Sequence, residues 1–173
     1  MQPTYSSSRI LQPVRPWFIV ITMLIALLLN FLPASTWPWM PDWVALLLIF
    51  WSIREPRHAG MGSGFILGLA MDVADSSLMG QHALAYVLAA YAATSLSRRI
   101  LWFPLAQQAL HVLPLMLAVQ LVQFGVRAMP GAVLPGLGYF AGPFIGALVW
   151  FPLTFVLLLP QYQPVDRDAN RPI

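Results

Sequence analysis

Residues 41–57 read PDWVALLLIFWSIREPR, and how this stretch meets a bilayer decides the fold. Pro41–Ile53 carries one charge, Asp42, at its start, and Arg54 and Arg57 follow it. A full crossing takes about 17–25 residues, so the run is short. It crosses if it starts nearer Trp37, tilts, or is covered by neighbouring helices. Otherwise it is a re-entrant hairpin, Arg54 and Arg57 lie outside, and every later span inverts.

The arginines separate these two readings. The other apolar runs are Trp17–Leu32, Gly62–Val73, Gln81–Leu96, Ile100–Val126 and Tyr139–Leu159. With Trp43–Ile53 as a crossing, Arg9, Arg15, Arg54, Arg57, Arg98, Arg99, Arg167 and Arg171 share one face, and Arg127 alone lies opposite. A hairpin destroys that split. Arginine-rich loops stay cytoplasmic. The expectation is an all-α integral membrane protein, multi-pass in the cytoplasmic (inner) membrane. Its six transmembrane helices form one compact bundle, with both termini cytoplasmic. Residues 1–16 and 161–173 read as cytoplasmic tails around a transmembrane domain at 17–160.

Composition agrees. The chain is 59% hydrophobic and only 9% charged, against about 25% charged in soluble domains. The net charge of +3 sits in short loops, so it reads as a topology signal and not as a nucleic-acid footprint. With no cysteine, disulfides, thiolate nucleophiles and cysteine-ligated metals are excluded. The first run follows Arg9 and Arg15 as a secretory signal would, but Pro33-Ala34-Ser35 is a poor cleavage site and more spans follow, so it reads as a retained span. Trp37, Trp39 and Trp43 cluster around Pro38 and Pro41 as an interfacial aromatic belt. Asp75, Ser76, Ser77 and Gly80 suit a tight capped connection between spans three and four. Pro104 and Pro114 predict a kink in span five.

Helices associate in lipid where small residues let backbones approach. Three stripes at a spacing of four satisfy this: Gly60, Gly64, Gly68; Ala85, Ala89, Ala93, with Ser97 in register; and Gly138, Gly142, Gly146. Each serves either to dock a partner's helix or to pack the bundle internally. Asp72 follows Gly68 by four and shares its face. A carboxylate inside a span costs about 2.5–3.5 kcal/mol at the centre and less near the surface. Asp72 is therefore expected either to make a polar contact to a partner or to a neighbouring helix, for example to His82 or a backbone amide, or to sit at the interface without a specific role. Span five holds Gln107, Gln108, His111, Gln120 and Gln123, with Gln107 and His111 one turn apart on one face, and such groups either line a polar path or hydrogen-bond to facing helices.

No catalytic, cofactor or metal constellation is expected. Asp72 and Asp75 lack further ligands at matching spacing, and His58, His82 and His111 fall at different depths. Gly60-Met61-Gly62-Ser63-Gly64 lacks the phosphate-loop lysine and does not match a nucleophile elbow.

One resemblance adds to this. Gly64-Phe65-Ile66-Leu67-Gly68-Leu69-Ala70-Met71-Asp72 followed by Met79-Gly80-Gln81-His82-Ala83-Leu84-Ala85-Tyr86 resembles the core of the rod shape-determining MreD family, in which a glycine-rich span ends in Asp and turns through a Gly-His segment. Pro41-Asp42-Trp43 and Ile49–Pro56 are similar to it as well. Asp72, Gly80 and His82 carry the motif. The resemblance implies a non-enzymatic scaffold of the cell-elongation machinery without a cofactor. It would maintain rod shape by linking MreC and the MreB filament to peptidoglycan synthesis by RodA and a penicillin-binding transpeptidase, with no nucleic-acid partner. The family's six-helix fold is also similar to the substrate-capture subunits of vitamin importers, which keeps a small-molecule capture or transport role open.

Overall fold

The computed structural model describes residues 14–31, 39–129 and 136–161. The expected tails, save residues 14–16 and 161, lie outside these residues, as do Arg9, Arg167, Arg171 and Trp37. Among the described residues the chain forms helices and no strands. The helices are α1 (Pro16–Phe31), α2 (Trp43–Arg54), α3 (Met61–Ala74), α4 (Gln81–Leu101), α5 (Leu105–Ala128) and α6 (Gly142–Leu158). Short 3-10 segments, Leu137–Ala141 and Leu159–Gln161, flank α6.

The helix ends follow local chemistry. Asp42 caps α2, its side chain accepting from the Ala45 N–H, and the helix stops one residue short of Pro56. At the start of α3, the Ser63 hydroxyl accepts from the Gly60 N–H at 3.0 Å and donates to the Gly60 carbonyl at 2.7 Å. Gly80 opens α4 at φ 98°, a left-handed conformation that glycine adopts without strain. Pro104 caps α5, so Ile100 and Leu101 finish α4. The apolar run read as starting at Ile100 is thus divided by a turn, because proline lacks the N–H that a continuous helix would need.

Helix α2 is the centre. Every residue from Val44 to Ile53 is buried, and Trp51, Phe50, Leu46, Leu48 and Ile49 are fully enclosed. At 1.5 Å per residue its 12 residues span about 18 Å, short of a hydrocarbon core of about 30 Å. Its neighbours cover it: α4 packs on it extensively, α1 next, and α5 and α3 also touch it. Trp51 Nε1 donates to the Thr22 hydroxyl of α1 at 2.9 Å, and that hydroxyl donates to the Ile19 carbonyl at 2.9 Å. Two segments, α5 and Gly138–Gln161, are long and apolar enough to cross a membrane. The outward surface is apolar too: Leu28, Ile66, Leu110, Leu148 and Phe155 are all more than half exposed.

Successive helices alternate in direction. Asn30, Asp42, Tyr86 and Gln123 meet at one end, while Phe18 packs against Trp51 toward the other. Of the described arginines, Arg15, Arg54, Arg57, Arg98 and Arg99 flank the helix ends opposite the Asp42 end, and Arg127 closes α5 at the Asp42 end.

Candidate functional site: two carboxylate hubs and the cavity between them

The most intimate helix pair is α3 with α4. A Cβ at Gly64 would stand 2.9 Å from the Tyr86 carbonyl oxygen, and one at Gly68 would overlap the Ala83 backbone. Glycine is required there because two backbones are in contact. That contact brings Asp72, one turn after Gly68, against the first turn of α4.

Asp72 is 2% exposed. Its carboxylate accepts from the N–H groups of Gly80 at 2.8 Å, His82 at 2.7 Å and Ala83 at 3.4 Å. The Gln81 N–H goes to the Leu78 carbonyl at 3.0 Å. The four orphan donors at the start of α4 are thereby satisfied, three of them by a side chain from another helix. A negative charge at a helix N-terminus is also favoured by the aligned peptide dipoles. The Ser77 hydroxyl donates to the same carboxylate at 3.1 Å, and His82 Nδ1 meets it at 2.9 Å. The other ring nitrogen of His82 faces Asp75 Oδ2 at 3.5 Å. Asp72, Gly80 and His82 are therefore one hydrogen-bonded unit that closes the α3–α4 turn.

A second hub forms at Asp42. Besides its cap on Ala45, its carboxylate accepts from Asn30 Nδ2 of α1 at 3.0 Å, the Tyr86 hydroxyl of α4 at 2.7 Å and Gln123 Nε2 of α5 at 3.5 Å. Asn30 returns a carbonyl to the Trp43 N–H at 3.0 Å. The Tyr139 hydroxyl donates to Gln123 Oε1 at 2.7 Å, and Gln120 Nε2 donates to the Tyr139 carbonyl at 3.0 Å. One carboxylate thus joins α1, α2, α4 and α5, and through Gln123 it reaches Tyr139 in the segment before α6, which Gln120 also holds.

Between the hubs is a partly open cavity of about 360 Å³, lined by both Asp42 and Asp75, with His82, Arg127, Gln120, Gln123, Tyr139, Asn30 and Trp43. Burial holds the Asp75 carboxyl above its ordinary range, and the nearby Asp42 and Asp72 carboxylates push the same way, against His82 and Arg127.

Most of the small-residue positions fall on interior faces. Gly64, Gly68, Ala85, Ala89, Ala93 and Ser97 are all buried. Gly142 and Gly146 are buried as well, with room for a Cβ only 3.0 Å from the Met40 carbonyl oxygen and 3.3 Å from Met116 Cε. Gly60 is half-buried and Gly138 exposed. In α5 the polar residues divide between two faces. His111 Nδ1 turns back to the Gln107 carbonyl at 2.7 Å, its ring stacks on Phe103, and the Gln107 side chain is exposed. The buried glutamines are Gln108, Gln120 and Gln123. Gln107 and His111 lie at the opposite end of α5 from the cavity.

Asn30 and Tyr139 carry no signal in the sequence, Gln120 and Gln123 are marked there only as polar groups of an apolar run, and Tyr86 is marked only by the family motif. The position of Asp42, immediately before an apolar run, is a helix-start signal that identifies its cap but not its distant partners.

Residues 10–159 match the sequence family described as rod shape-determining protein MreD. The rod shape-determining protein MreD of Haemophilus influenzae (strain Rd) is 30% identical over 152 residues, covering 82% of this chain and 89% of that protein. No solved structure matches significantly. The matched region takes in all the helices and both carboxylate hubs, and the chain belongs to the MreD family of rod shape-determining proteins.

Proposed function

We propose that this protein is a non-enzymatic, six-span scaffold of the cytoplasmic membrane, with both termini in the cytoplasm. It links MreC and the MreB filament to RodA and a penicillin-binding transpeptidase during cell elongation. The use made of the two interior carboxylates carries this reading. Asp72 and Asp42 are spent on caps and interhelical hydrogen bonds, the use expected of groups that hold a frame rigid. Because most of the small-residue positions pack internally, partner docking falls to the exposed apolar faces, such as Leu24 and Leu28 of α1, Ile66 of α3 and Leu148 of α6.

Photocrosslinking amino acids at Leu24, Ile66 and Leu148 test this. Capture of MreC from at least one face, together with cytoplasmic reporter signals from fusions at both termini, is the expected result. Reporters on opposite sides of the membrane, or no MreC from any exposed face, would remove the reading. The partly open cavity favours a second one, a small-molecule capture or transport subunit.

A further inference from the structure

The geometry points to the cavity at the Asp42 end as a binding site for a small primary-ammonium zwitterion, its ammonium on Asp75 and Gln120 in the field of the Asp42 carboxylate and its acidic group on Arg127. This goes beyond the scaffold reading and does not depend on it. Three observations carry it.

The first is charge. The wall presents Asp42 and Asp75 against the single guanidinium of Arg127, and Asp72 holds the remaining basic group, His82, at 2.9 Å. Among the described residues no ion pair neutralises Asp42, and Asp75 meets only His82, at 3.5 Å. An uncompensated negative wall in a cleft of low dielectric attracts a cation.

The second is an unused acceptor. Gln120 lines the cavity and is 6% exposed; its Nε2 is spent on the Tyr139 carbonyl, and its Oε1 has no hydrogen-bond partner. A buried acceptor without a donor costs about 1–3 kcal/mol, which a ligand N–H would recover. An ammonium offers three such donors, whereas a quaternary amine offers none.

The third is the opposite charge beside it. Arg127 ends α5 at the cavity and is near enough to pull down the Asp75 carboxyl electrostatically. A guanidinium pairs readily with phosphate or carboxylate. Acceptors for an ammonium with a donor fork at the rim match a molecule carrying both charges. Phosphoethanolamine has this chemistry, whether as the headgroup of phosphatidylethanolamine or as a free compound.

The test uses the full chain in nanodiscs of phosphatidylglycerol, a lipid without an amine, titrated calorimetrically with O-phosphoethanolamine. Saturable binding is expected, weakened about tenfold or more by Asp75→Asn and by Arg127→Gln, and about tenfold weaker for phosphocholine, which keeps the phosphate but lacks N–H donors. The Asp75 side chain is 45% exposed and Arg127 is half-buried, so both variants are expected to keep the melting temperature of the parent. In a second arm, native mass spectrometry follows protein extracted from mixed phosphatidylethanolamine and phosphatidylglycerol membranes. Selective retention of phosphatidylethanolamine, lost in both variants, supports the site with a lipid headgroup as its source. Soluble binding without lipid retention supports it with a free zwitterion as the source. Equal binding of phosphocholine or of inorganic phosphate overturns the proposal, and so does the absence of both soluble binding and selective lipid retention. Such a failure leaves MreC capture unaffected, so the two readings fail separately.

Discussion

Asp72 and Asp42 are the same chemical group at the same kind of place, a helix N-terminus, yet they do different work. Asp72 reaches only 5 to 11 residues along the chain, mainly to backbone amides. Asp42 reaches 44 residues to Tyr86 and 81 to Gln123, and most of its partners are side chains. One carboxylate closes a hairpin and the other ties separate helices into a bundle. In an apolar setting, where an unsatisfied polar group is costly, a single buried anion can organise either a turn or a tertiary junction. Which of the two it does depends on where its donors come from.

Substitution at Asp72 probes the local hub and should have the largest effect. Asp72→Ala strands buried amides of α4 and the His82 ring, and should lower stability by about 3–5 kcal/mol, as removal of one buried ionic partner does. Denaturant or thermal melts in detergent read this directly. An effect under about 1 kcal/mol, the size of an ordinary cap, would mean that water replaces the carboxylate. Gly68→Ala comes next, since the added carbon overlaps α4 backbone that cannot yield; the expected cost is at the upper end of about 1–3 kcal/mol. Gly62→Ala is the control, having nothing within 4 Å of its Cβ, and should melt at or above the parent temperature.

The long-range hub is sharpened by a double-mutant cycle. Tyr86→Phe removes a hydrogen bond to a carboxylate and should cost about 1.5–3 kcal/mol. Its coupling to Asp42→Asn should fall within about 0.5–3 kcal/mol. A coupling near zero would mean that the 2.7 Å contact does not tie α4 to α2.

The smallest effect is a pH dependence. The folded state raises the Asp75 carboxyl above 3.8 through burial, opposed by His82 and Arg127 and reinforced by Asp42 and Asp72. The folded chain therefore binds this proton more tightly than the unfolded chain. The resulting stabilisation is complete below pH 3.8 and is lost as pH rises through the folded value. Melting temperature measured downward from neutral pH should fall less in the parent than in Asp75→Asn. Identical profiles would show that Asp75 gains nothing from protonation.

Much of the local hub is legible in sequence. Gly64, Gly68 and Asp72 share one helical face, and Gly80 with His82 follows a turn of eight or ten residues' reach, so the partners lie within one hairpin. The Asp42 hub is not legible in this way. No periodicity links Asn30, Tyr86, Gln123 and Tyr139, and their meeting depends on how four helices are arranged around α2. Along α5, spacing pairs Gln107 with His111 and leaves Gln108, Gln120 and Gln123 unranked, yet these three stand inside because the rotation of α5 against α4 and α6 selects their face. The small-residue stripes show the same limit: a spacing of four marks a face for close approach without naming the helix that approaches.

An all-helical chain, the approximate helix limits and the family are all written in the linear order of residues, because apolar runs, prolines, glycines and capping residues act over a few neighbours. Packing was needed to make the short run at 43–54 a covered central helix, to bury Gly64, Gly68, Gly142 and Gly146 inside the bundle, and to open a cavity between two carboxylates. The reason is that burial and hydrogen-bond partnership are properties of pairs distant along the chain, and they exist only once the helices have packed.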